Sequence, residues 1–134
     1  MMPLVAAICL AWEPVAAQTM GSFSEDQLNR FVQATNVIER RREDVLRRAK
    51  RQEGWREVAQ LAESRGVNVC DLERREQPKF LQELCQELFT YSEQELRRLN
   101  LSNRDFNQMT RAIERDQQLQ VMVQNRLLQL RDRR

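Results

Sequence analysis

The chain contains no histidine. That removes the His ligands of common zinc and haem centres, the base of a Ser-His-Asp triad and an imidazole proton shuttle. Glycine and proline are scarce, three of each in 134 residues, too little turn material for many short strands; long helices are favoured. No Gly-rich loop is present to cradle nucleotide phosphates. Charge of one sign is missing too. The 22 Lys+Arg against 20 Asp+Glu leave a formal +2, which excludes a surface that is a polyanion-binding field throughout. What is there is 41% hydrophobic and 31% charged, a balance that allows a core beneath a heavily ionic surface in one domain.

The longest apolar run, residues 3–12, is too short to span a bilayer, which takes about 20 residues. Glu13 and Pro14 follow it, and Val15 and Ala17 then fit the small-residue positions before a signal-peptidase cut. No Lys or Arg precedes the run, the one departure from an export signal. The pattern predicts a cleaved signal peptide over 1–17, a flexible lead-in over 18–23 and one helical domain over 18–134. A periplasmic or extracellular location follows.

One local string occurs three times: Phe23-Ser24-Glu25-Asp26-Gln27-Leu28, Tyr91-Ser92-Glu93-Gln94-Glu95-Leu96 and Leu101-Ser102-Asn103-Arg104-Asp105-Phe106. Each serine can accept a hydrogen bond from the amide three residues on. The side chain there can reach back, and the flanking apolar residues can close as a staple. The spacing therefore predicts helix starts at Ser24, Ser92 and Ser102. Capping accounts for these serines better than nucleophilic or phosphorylation roles do.

From Ser24 the apolar residues Leu28, Phe31, Val32, Thr35, Ile38, Val45, Leu46 and Ala49 recur at three-and-four spacing, without Gly or Pro until Gly54. Gly54 either bends one helix or divides two. Trp55, Val58, Ala59, Leu61 and Ala62 resume the pattern up to Gly66, a suitable left-handed cap. Residues 67–77 read as a connection. Pro78 suits the first turn of a helix carrying Phe80, Leu81, Leu84, Cys85 and Leu88. A short segment from Ser92 to Leu99 follows, and then a stripe through Phe106, Met109, Ile113, Leu119, Val123 and Leu127. No stretch alternates with period two. The fold class is all-α: an antiparallel helical hairpin or bundle of three to five helices.

Leu101-Ser102-Asn103-Arg104-Asp105-Phe106-Asn107-Gln108-Met109, with Ala112, Asp116 and Leu119 beyond, resembles a bacterial family known as domain of unknown function 4168. Its pattern there is Gly-Leu-Ser, an aromatic-Asn pair, then Asp-Pro and leucine. Residues 23–49 look like the family's first helix, which follows an export signal; residues 67–98 look like an expanded connection. Asn100 stands in place of the Gly, and Asn tolerates the left-handed backbone a helix end demands. Gln117 replaces the Pro after Asp116, which can still cap a second segment. The resemblance implies small, exported, helical bacterial proteins and carries over no activity, cofactor or catalytic residue.

Cys70 and Cys85 can form one disulfide in an oxidising compartment, closing a loop of about 15 residues worth roughly 3 kcal/mol. They can equally be two separate core residues. A structural zinc site is disfavoured with two sulfurs and no His. Twenty of the 22 basic residues are arginine. The densest patch is Arg40, Arg41, Arg42, Arg47, Arg48 and Arg51, with Lys50, able to meet phosphate or an anionic membrane surface. Glu39, Glu43 and Asp44 are interleaved, so a solvated, salt-bridged helix face is the plainer reading. No aromatics lie among these arginines to stack bases, which argues against nucleic acid. Trp55 reads as a core residue beside a bend rather than as part of a ligand pocket.

No carboxylate pair is placed for acid–base work, and no catalytic, cofactor or metal residue is assigned. The favoured function is non-enzymatic interaction through helix faces, with a protein partner or a second copy, in a structural or chaperone-like role. The alternative is anion or membrane-surface binding through residues 40–51. An enzyme relying on carboxylates or Tyr91 comes third.

Overall fold

The computed structural model describes residues 23–132; the expected signal peptide at 1–17 lies outside them. Among the described residues the protein is all-helical, as expected. Five α-helices run in the order α1 (Glu25–Ala49), α2 (Trp55–Arg65), α3 (Lys79–Arg98), α4 (Asn103–Glu114) and α5 (Gln117–Asp132). Two single 3-10 turns, Val69–Asp71 and Arg74–Glu76, lie between α2 and α3.

Helix ends follow the local chemistry. Ser24 and Gln27 form the reciprocal box that opens α1: the Gln27 amide donates to Ser24 Oγ at 3.0 Å, and the Ser24 amide to Gln27 Oε1 at 2.9 Å. Ser102 Oγ accepts from the Asp105 amide at 2.9 Å to open α4. Asp116 Oδ1 accepts from the Gln118 and Leu119 amides at 3.0 and 3.2 Å to open α5. Gly54, at φ 94°, separates α1 from α2. Gly66 closes α2 at φ 65°, its amide and that of Val67 returning to Glu63 and Ala62 carbonyls in a Schellman arrangement. Asn100 is left-handed at φ 60° between α3 and α4.

Ser92 corrects its expectation. It lies inside α3, where its hydroxyl donates to the Leu88 carbonyl at 2.8 Å, one turn back. Residues 79–98 contain no Gly or Pro to interrupt the helix, so Ser92 begins nothing. The short separate segment expected at 92–99 is thus the last part of a 20-residue helix.

The described residues divide into two compact units. The first combines residues up to 36 with residues 99 onward. Its buried side chains include Leu28, Phe31, Val32, Leu101, Met109, Ile113, Leu119 and Val123. Phe31 stacks on Phe106 with ring centroids 4.9 Å apart. Arg126 clamps α5 to α1, donating to Asn29 Oδ1 and Glu25 Oε2, both at 2.7 Å. Arg30 donates to the Asn100 carbonyl at 3.0 Å, holding the left-handed corner.

The second unit is residues 37–98. Val58, Ala62, Val69, Leu72 and Leu81 form its buried cluster, with Leu46, Trp55, Leu61, Phe80, Cys70 and Cys85 packed against it. Removing a leucine such as Leu81 fully from water is worth about 2–3 kcal/mol. Residues 67–77, expected as a connection, are tied down in detail. Gln77 is buried, and its Nε2 lies 3.1–3.2 Å from the carbonyls of Val69, Cys70 and Leu72. Gln82 Nε2 reaches the carbonyls of Arg74 and Gln77. Arg65 pairs with Glu76. Residues 67–77 are therefore an ordered connection, and residues 79–98 form α3.

Candidate functional site

Cys70 leaves the first 3-10 turn and meets Cys85 on α3 in a disulfide, with Cα atoms 5.5 Å apart. Three elements then stand around one depression. α1 contributes Val45 and Leu46, α2 contributes Trp55, Ala59 and Ala62, and residues 67–71 close the side. The result is an open groove of about 530 Å³ with a mainly apolar lining that includes Cys70 and Leu88. Small-molecule and peptide sites fall in this size range. Trp55 is half-buried, so it serves both core and groove wall; reading it as core alone is incomplete. Val67 is 40% exposed at the edge.

The rim is charged. Arg42 and Lys50 come from α1 and the residue after it, and Glu63 and Asp71 from α2 and the first 3-10 turn. All four are exposed. Arg42 follows the buried Ile38 by four positions on α1 and stands at this rim.

The arginine patch is mostly neutralised within the chain. Arg48 makes a two-pronged pair with Glu87 of α3 and lies 3.0 Å from Asp44. Arg41 lies over the Tyr91 ring, 4.1 Å from its centroid, and 3.5 Å from Glu87. Arg47 approaches Asp44 at 3.3 Å, and Arg42 approaches Glu39 at 3.8 Å. Arg51 donates to the Arg47 carbonyl. Arg40, Lys50 and Arg51 have no carboxylate partner among the described residues.

These pairings shift ionisation in the expected sense. The Arg48 hydrogen bond holds the Glu87 carboxyl below its ordinary range, against partial desolvation. At Asp44, desolvation opposes the shift, but the charge of Arg48 and hydrogen bonds from Arg47 and Arg48 prevail, and its carboxyl is lowered. Arg48 is raised, chiefly by its bond to Glu87. The arrangement is an ion-pair lattice between α1 and α3 rather than an acid–base pair.

Sequence reasoning missed Glu87, Tyr91 as a cation–π platform, Gln77, and Asn68 and Asp71 in the groove wall. Glu87 is 39 residues from Arg48, and no local spacing announces such a partner. Among the described residues no group of three His, Cys, Asp or Glu side chains is placed to hold a metal ion. No described helix is long and apolar enough to cross a membrane.

Fold and groove define an all-helical protein whose irregular wall is fastened by a disulfide. The chain belongs to the family described as domain of unknown function (DUF4168), whose profile matches residues 24–123. No curated protein and no solved structure matches it significantly.

Proposed function

We propose that this chain is an exported, non-enzymatic helical protein that acts by holding a partner in the groove of its second unit. The open apolar groove beside Trp55 carries the reading, because apolar surface gathered in a concavity and ringed by charge is the usual form of a binding site. The Cys70–Cys85 bond supports the exported part, since such bonds persist in oxidising compartments. The 15–17 Val-Ala-Ala motif supplies the processing site. A second reading, anion binding at residues 40–51, draws on Arg40, Lys50 and Arg51, which have no carboxylate partner among the described residues. It is weakened by the carboxylates that occupy Arg41, Arg42, Arg47 and Arg48.

Affinity capture from the native compartment at low and high salt separates the two. Contact in the groove survives salt and is lost in Ala59→Arg, which places a charge among the lining residues. Retention only at low salt, abolished by Arg40→Glu with Arg51→Glu and untouched by Ala59→Arg, would establish the anion reading instead.

A further inference from the structure

Resting on that groove reading, we infer that its occupant is an amphipathic helix whose apolar stripe is flanked by acidic residues on one side and basic residues on the other. The argument is charge complementarity. Arg42 lies on α1, and Lys50 directly follows the last residue of α1, its amide still bonded to the Leu46 carbonyl; the eight positions between them are about 12 Å along the helix axis, so the basic edge is two helical turns long. Lys50 has no carboxylate partner among the described residues, and Arg42 has only Glu39 at 3.8 Å. The other charged residues of the lining are acidic: Glu63, at the end of α2, and Asp71, in the first 3-10 turn. A helix seated with leucine-like anchors at i, i+3, i+4 and i+7 presents flanking positions to both edges at that same repeat. Acidic flank residues two turns apart would meet Arg42 and Lys50, and basic ones would meet Glu63 and Asp71.

A fatty acyl chain with one anionic head fits less well. It satisfies the basic edge and leaves two carboxylates beside it without counter-charge. A uniformly acidic or uniformly basic segment meets repulsion along one edge.

Trp55 provides the readout. The chain has two tryptophans; cleavage after residue 17 removes Trp12, so in the processed protein Trp55, on the groove wall, is the sole reporter. Three helical peptides of roughly 16 residues with one shared leucine stripe would be titrated: mixed flanks, both flanks Glu, both flanks Lys. Palmitate and anionic phosphatidylglycerol vesicles complete the set. The mixed peptide is expected to shift Trp55 emission with a Kd at least tenfold below either single-sign peptide. In Arg42→Glu with Lys50→Glu, exposed positions whose change leaves the core intact, the groove becomes acidic on both edges and the all-Lys peptide becomes the tightest. Equal affinity for all three peptides, no response, or a preference for palmitate or vesicles would overturn the inference. The groove reading itself survives those results wherever salt-resistant capture still fails in Ala59→Arg, so the two failures are distinguishable.

Discussion

The first unit, residues 23–36 with 99–132, and the second, residues 37–98, are held by different means. In the first, capped helices pack conventional side chains: Met109 and Leu119 are almost wholly inaccessible, Phe31 stacks on Phe106, and ion pairs lie at the periphery. In the second, thirteen residues outside α-helix must be fixed between α2 and α3. A disulfide, a buried glutamine amide and the Arg65–Glu76 ion pair do that. The difference teaches that regular helices need only a stripe and caps, whereas an irregular segment needs its carbonyls answered individually. The groove occurs in the second unit, where the irregular segment supplies one wall instead of a helix that would fill the space.

Core truncation should hurt both units most. Leu81→Ala and Met109→Ala are each expected to cost about 2–5 kcal/mol in denaturant unfolding, with amide exchange rising most in residues 55–98 for the former and in α4 and α5 for the latter. Next comes the bond peculiar to the second unit. Cys70→Ser with Cys85→Ser should lose roughly 3 kcal/mol for its loop, and exchange should accelerate first over residues 67–77, leaving the α4 caps protected. A smaller loss, about 1–3 kcal/mol, is expected for Gln77→Ala, which strips the donor from three carbonyls. In the first unit Ser102→Ala should cost about 1 kcal/mol, while Ser92→Ala, inside α3, should change stability by no more than about 0.5 kcal/mol. Thermal melts of the two serine variants make that contrast directly.

The smallest effect is acidic. The carboxyls of Glu87 and Asp44 have folded pKa values below their ordinary 4.5 and 3.8. Their contribution is therefore present in full above those ordinary values and is lost as pH falls through the lowered ones. Urea midpoints measured downward from pH 6 should decline, and Glu87→Gln should flatten that decline.

How far the fold could be read in advance follows the same division. Stripes, caps and punctuation are local, so Ser24, Ser102 and Gly66 could be placed from spacing alone, while Asp116 and the left-handed Asn100 followed from the family resemblance. Ser92 could not, although its string matches theirs. A capping serine acts only where the chain has already left the helix: Asn100 arranges this for Ser102, whereas an uninterrupted α3 runs through Ser92. The groove was the least legible feature. Trp55, Val67 and Asp71 carry no shared motif, and they meet through packing and one long loop closure. The arginine patch was half legible, since Asp44 is near in sequence but Glu87 and Tyr91 belong to another helix.

The bond between Cys70 and Cys85 also makes part of the chain a covalent ring, and Arg74, Arg75 and Lys79 all sit exposed on its circumference. Trypsin cutting there opens the ring without parting the molecule. The nicked protein would migrate as one species until a reductant is added, and only then fall into two pieces, so a peptide-bond break at this wall leaves its ends tethered.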